Sequence, residues 1–333
     1  MFPYKIVPVE EALNRQLMND FKGERYGFVQ VGPKKWLLPA SYADHAEKFY
    51  SYDLRSDDVW VITYPRSGTT LCQELVWILN NNMDFETAAN VAMEKRFPFF
   101  EFSLLHTEKF HVELRELNKN DPVVNEKLAY WKKPVYEMDL ASPRHIKTHL
   151  PFSLLPPDLC EKSKVIYVAR NPKDVAVSYY HHNRLLRVHD YQGDFPKYWK
   201  YFQDDLLVFS PYWEHIKEGW EARHKKNVLF LFYEDIVKNM GESIKKTAEF
   251  LGKNITESDV QKLCAHLNID NFRKVVTTHE NIPIIGIANA GEQGFFRRGK
   301  VGGNPEFTDE INKAANEWIK KNLSDTDLKF PCY

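Results

Sequence analysis

Val59-Trp60-Val61-Ile62-Thr63-Tyr64-Pro65-Arg66-Ser67-Gly68-Thr69-Thr70-Leu71 is the stretch whose reading decides the fold. An apolar, β-branched run breaks at Pro65 into a basic, hydroxyl-rich turn and resumes with Leu71, Leu75, Ile78 and Leu79 at helical spacing. That order predicts a strand, a phosphate-binding loop and a helix. Such a junction aims the free backbone N–H groups of the helix's first turn at an anion, while the Thr69 and Thr70 hydroxyls and the Arg66 guanidinium add donors. It is not a Walker A loop, because the first glycine is missing and the cation precedes the single Gly68. This argues against an ordinary ATPase or GTPase. Serine, glycine and threonine also cap plain helices, so the loop alone leaves its role open.

Three further apolar runs narrow it. Arg144-His145-Ile146-Lys147-Thr148-His149-Leu150-Pro151 predicts a short strand ending in a histidine beside a cation. Lys164-Val165-Ile166-Tyr167-Val168-Ala169-Arg170-Asn171-Pro172 predicts a buried strand that ends at Arg170 and passes through Asn-Pro into a helix carrying Ser178. Asn227-Val228-Leu229-Phe230-Leu231-Phe232-Tyr233 predicts a strand that delivers Tyr233. Each run places its polar residues at the carboxyl end, where ligands sit in open α/β sheets, so the four ends are expected to meet at one site.

With those residues in view, the chain resembles the cytosolic sulfotransferase family. Its members carry Tyr-Pro-Lys-Ser-Gly-Thr-Thr, Lys-Thr-His-Leu-Pro, Arg-Asn-Pro-Lys-Asp-Val-Ala-Val-Ser-Tyr-Tyr and a late Arg-Lys-Gly; residues 64–70, 147–151, 170–180 and 297–299 correspond here. The resemblance runs from about residue 30 onward. It implies one α/β domain around a parallel sheet over residues 1–333, with a 30–330 core, and 3′-phosphoadenosine 5′-phosphosulfate (PAPS) as sulfuryl donor, leaving the bisphosphate PAP.

Composition fits a globular enzyme with a sizeable core. A formal net charge of −1 gives no reason to expect nucleic acid or an anionic membrane as partner. The four cysteines, Cys72, Cys160, Cys264 and Cys332, are widely spaced, which fits reduced thiols. The amino-terminal residues lack a signal peptide's apolar region and no run is long enough for a membrane span, so a cytoplasmic location is expected. The twelve histidines include His181-His182, but no metal-ligand spacing accompanies them, and no metal is expected.

The resemblance assigns roles residue by residue. Sulfuryl transfer, like phosphoryl transfer, needs positioning and fixed cations. Arg66 and Lys147 match the positions flanking the transferred group, and His149 matches the catalytic histidine, whose ordinary pKa suits a general base. Ser67, Gly68, Thr69 and Thr70 match the 5′-phosphate loop, and Arg170 and Ser178 the 3′-phosphate ligands. Phe296-Arg297-Arg298-Gly299 matches the late basic turn, and Tyr233 is placed on the nucleotide side. Leu71 and Leu267-Asn268-Ile269 stand where the family brackets adenine, aliphatic where it uses a tryptophan and a phenylalanine. Phe99, Phe102 and Tyr180 match positions lining the acceptor cleft, with Lys147 and His149 at its polar end. An apolar pocket of this kind suits a small lipophilic phenol or alcohol.

Several departures keep alternatives open. Arg66 replaces the usual lysine and keeps the charge, but it cannot donate a proton at ordinary pH. Gly302-Gly303-Asn304-Pro305-Glu306 replaces Gly-Asp-Trp-Lys, and the family's dimer motif is absent, so a monomer or a dimer through another surface is expected. Residues 103–140 look like an insertion bordering the site, a candidate lid. Arginine in the loop together with this insertion is similar to an insect branch that includes a retinol dehydratase. A dehydratase acting through a transient sulfate and a nucleotide-binding pseudoenzyme therefore stand beside the sulfotransferase.

Overall fold

The computed structural model describes residues 1–278, 284–292, 294 and 301–331. Three short strands near the amino terminus, β1 (Ile6–Pro8), β2 (Phe28–Val31) and β3 (Trp36–Pro39), form an antiparallel sheet. The central sheet is parallel and has the order β5-β4-β6-β7, with β4 at Val59–Thr63, β5 at His145–Thr148, β6 at Lys164–Ala169 and β7 at Val228–Phe232. Its register pairs Val59 with His145 and with Lys164, and Ile166 with Leu229, so all four carboxyl ends lie on one edge.

The apolar runs have a physical cause. β4 is buried at every position, as expected of a strand covered on both faces. Val59 and Val61 pack with Leu75, Ile166, Val168 and Leu263 on one side, whereas Trp60 and Ile62 pack with Val165, Tyr167 and Ile216 on the other. The period-two alternation of side chains divides one strand between two half-cores. The helix Met240–Leu251 closes the first side and stops at Gly252, whose φ of 73° is the left-handed cap that glycine adopts without penalty. A late lysine-rich helix spans Asp309–Asn322. The architecture is the single α/β domain expected from the sequence.

The 103–140 segment folds into two helices, Glu108–Leu117 and Pro122–Lys132, started by side-chain caps from Thr107 and Asp121. Phe110, Leu114, Val124 and Leu128 form a small cluster with Val188 and Ile284, separate from the two half-cores.

Candidate active site

At the carboxyl edge the β4 run ends in Thr63, and the chain turns through Arg66 and Gly68 into the helix Thr69–Asn80. Arg66 has φ of 67°, a left-handed conformation costly for a residue with a side chain. Gly68 is the N-cap with φ of 99° and supplies no side-chain cap. The N–H groups of Thr69, Thr70 and Leu71 are thus the unpaired donors of a helix start, facing the loop. Around this loop lies a cavity of about 570 Å³, within the usual size of a small-molecule site.

The structure brings most of the expected residues to that cavity. Arg66, Gly68, Thr69, Thr70 and Leu71 line it from the loop, Lys147 and His149 from the end of β5, and Arg170 and Ser178 from the end of β6 and its following helix. Leu267, Asn268 and Ile269 line it, as do Tyr233, Phe99 and Phe102. Arg66 Nε donates to Ser178 Oγ at 3.2 Å, and Arg170 donates to the Arg66 carbonyl at 3.0 Å. The Arg170 guanidinium lies 4.3 Å over the Tyr233 ring, and its Nε is buried without a hydrogen-bond partner among the described residues. Open helix N–H groups and a buried, orphaned guanidinium nitrogen fit a ligand with two separated anionic groups.

Two expected residues are placed differently. The Ser67 side chain is fully buried, its hydroxyl has no partner among the described residues, and it does not line the cavity. Tyr180 turns away into an aromatic cluster with Tyr191, Phe195 and Tyr198, and accepts a hydrogen bond from Arg184 at 2.8 Å. Tyr179 lines the cavity instead. On the helix Pro172–Leu185, Asp174, Ser178 and His182 follow at intervals of four and share the cavity face; Tyr180 lies about 200° round from Ser178. Phe296, Arg297, Arg298 and Gly299 lie outside the described residues. The glycine-rich departure just beyond them docks on this same helix, with Gly302 N–H donating to Asp174 at 3.0 Å.

His149 is held from several sides. Its Nδ1 lies 2.8 Å from the Thr63 carbonyl oxygen, and its backbone N–H donates to buried Glu101 at 2.6 Å. Its own carbonyl accepts from His215 Nε2 at 3.0 Å. Because a carbonyl only accepts, the His149 proton sits on Nδ1 and Nε2 keeps its lone pair. Burial above all, then the neighbouring Lys147 charge, hold the imidazole well below its ordinary pKa, so it is neutral at pH 7. Burial also pushes the Lys147 ammonium down to about 8, with Glu101 opposing the shift and Arg66 adding to it.

Phe99 reaches the site through backbone pairing that the sequence pattern does not announce. Lys147 N–H donates to the Pro98 carbonyl at 3.0 Å and Phe100 N–H to the Lys147 carbonyl at 2.8 Å, so the Phe-rich stretch runs parallel beside β5. That pairing sets the Phe99 ring 4.1 Å under the Lys147 ammonium and 5.0 Å from the His149 ring. Beyond it, Phe209, Phe272, Trp131 and His106 join the walls, residues that no local motif picks out. Among the described residues no group of three or more His, Cys, Asp or Glu is arranged to hold a metal, and no helix is long and apolar enough to cross a membrane.

Comparison with known proteins agrees with this geometry. Residues 56–327 match the family model described as "Sulfotransferase domain". The luciferin sulfotransferase of Photinus pyralis is 34% identical over 324 residues, 95% of this chain and 84% of that protein. Sulfotransferase 1A1 of Rattus norvegicus is 33% identical over 279 residues, 83% of this chain and 88% of that protein. A crystal structure of retinol dehydratase in complex with androsterone and inactive cofactor PAP superposes with a TM-score of 0.91 at 36% identity, covering 99% of both chains. A second is a complex with retinol and PAP, at the same identity and TM-score. The domain match over residues 56–327, together with relatives 33–34% identical along most of the chain, establishes that the protein belongs to the sulfotransferase family and is a sulfotransferase.

Proposed function

We propose that the protein moves the sulfuryl group of PAPS to the hydroxyl of a small lipophilic phenol or alcohol, with His149 as general base. The observation that carries this reading is the 2.8 Å contact between His149 Nδ1 and the Thr63 carbonyl, which leaves Nε2 free to accept a proton. As the acceptor oxygen bonds to sulfur and the bridging S–O bond of the donor breaks, the hydroxyl proton passes to Nε2. Arg66 and Lys147 stabilise charge on the sulfuryl and bridging oxygens, a role that needs no metal. The N–H groups of Gly68 to Leu71 with Thr69 and Thr70 hold the 5′-phosphate; Arg170, Ser178, Arg297, Arg298 and Gly299 hold the 3′-phosphate. Leu71, Ile269 and Phe272 pack on adenine.

The acceptor lies along Phe99 and Phe102, under a lid formed by the 103–140 insertion of a single 30–330 core. The free Cys72, Cys160 and Cys264 support a reducing, cytoplasmic location. The altered 302–306 turn supports a monomer or a dimer through another surface, which light scattering at micromolar concentration decides. A turnover screen with PAPS against phenols, steroids and retinoids tests the whole reading; no turnover with any acceptor, despite PAP binding, points to a nucleotide-binding pseudoenzyme.

The similarity to retinol dehydratase favours a second reading for allylic alcohols: a transient sulfate ionises inside the apolar pocket and loses sulfate and a proton. Arg66, which cannot protonate a leaving oxygen, fits slow release of the first product. Mass analysis of the retinol product decides between intact sulfate and hydrocarbon.

A further inference from the structure

Among the described residues, the wall of the cavity carries three imidazoles that the proposed chemistry does not use, those of His106, His182 and His189. His106 is only 4% exposed and lines the cavity. It is reached from His149 by ring-to-ring steps of 5.0 Å to Phe99, 5.5 Å to Phe102 and 4.3 Å to His106. Trp131 stands 4.9 Å away on its other side. A path of aromatic rings thus leads from His149 to a second polar group on the pocket wall.

His106 Nδ1 lies 3.1 Å from His111 Nε2, so one ring must donate and the other accept. His111 Nδ1 is buried and has no partner among the described residues. A buried N–H without an acceptor is a costly orphan, more so than an unused lone pair, which places the His111 proton on Nε2 and leaves Nδ1 bare. His111 therefore donates, His106 accepts at Nδ1, and the His106 proton sits on Nε2. Burial keeps both rings neutral, His106 well below its ordinary pKa and His111 down to about 4. Among the described residues His106 Nε2 makes no hydrogen bond.

We propose that His106 Nε2–H binds a neutral oxygen, keto or hydroxyl, carried by the acceptor at the end opposite the hydroxyl that is sulfated. The inference rests on the sulfotransferase reading and narrows its substrate class to two-ended lipophiles. A carboxylate is disfavoured because the Phe102, Phe110 and Trp131 rings around His106 offer no compensation for a buried charge. An alcohol whose far end is hydrocarbon gains nothing from this residue.

Equilibrium binding with PAP present tests the proposal without turnover, using two hydroxysteroids that differ only in a keto oxygen or a methylene on the far ring. The wild type is expected to bind the keto compound about fivefold to tenfold more tightly, the scale of one neutral hydrogen bond. His106→Phe should erase that preference, and His106→Gln, which keeps an N–H donor, should retain part of it, with PAP affinity unchanged in both. Equal binding of the two steroids by the wild type, or an undiminished preference in His106→Phe, overturns the proposal. If His106→Phe no longer binds PAP and so has not folded, the wild-type comparison decides alone. Loss of the function reading would look different: wild-type protein that binds no PAP, or binds both ligands and turns over neither.

Discussion

Gly68 faces the Tyr233 ring so closely that a Cβ on it would sit 2.4 Å from Tyr233 Cδ2. The same glycine holds φ of 99°, so a side chain here meets both backbone strain and a clash. Gly68→Ala must therefore push the loop or the tyrosine out of place. We expect PAP affinity to fall by at least about tenfold, the equivalent of roughly 1.4 kcal/mol, with the protein still folded. Isothermal calorimetry beside circular dichroism checks this, and wild-type affinity would show that this turn is not the anion cradle.

Nucleotide choice follows from two anion positions on one edge. PAP should stabilise the protein thermally by more than ATP or AMP at equal concentration, a ligand at about 100 Kd adding roughly 2.7 kcal/mol. Arg170→Ala should abolish the preference for a 3′-phosphate while leaving AMP binding little changed. A thermal-shift series reads both, and larger shifts with ATP and Mg²⁺ would redirect the assignment to a kinase.

His149 and Lys147 together predict a bell-shaped profile of kcat/KM against pH. His149 must be unprotonated, and burial holds its pKa well below the ordinary imidazole value, so the acid limb should lie well below that of a free histidine. Lys147 must be charged, so activity should decline as pH rises through about 8. Lys147→Arg should move the alkaline limb upward, since a guanidinium stays protonated. His149→Ala should lower kcat by roughly 10² to 10⁴-fold with donor binding retained.

Glu101 predicts a stability effect of definite sign. Burial raises its carboxyl to about 7, opposed by hydrogen bonds from the Thr148 hydroxyl and the His149 N–H. A carboxyl whose folded pKa exceeds its unfolded value stabilises fully below the unfolded pKa near 4.5, and that stability is lost as pH rises through about 7. The wild type should therefore lose Tm between about pH 4.5 and 7 relative to Glu101→Gln, which does not titrate. Parallel melting curves would disprove burial as the controlling effect.

Much of this protein is determined by the sequence itself, because local physics dictates it. The β-branched run 59–63 reads as a strand, and the proline, glycine and paired threonines after Thr63 read as a turn that opens a helix. The four strand ends converge because a parallel sheet places every carboxyl end on one edge, so Arg66, Lys147, His149, Arg170 and Tyr233 are legible as one site from their runs alone. What no run contains is decided by tertiary structure. The β1–β3 sheet rests on strands of three or four residues, too short for periodicity to reveal. Tyr179 rather than Tyr180 lines the cavity, a rotation about a helix axis that only packing sets. Phe99 gains its place by pairing with Lys147, 48 residues away in sequence, and the His149 tautomer is fixed by the Thr63 carbonyl, 86 residues away. His106 and Trp131 meet at the cavity wall although 25 residues separate them in sequence. Distances across the chain are not written in any local pattern, because side chains far apart in sequence meet only once the core has closed.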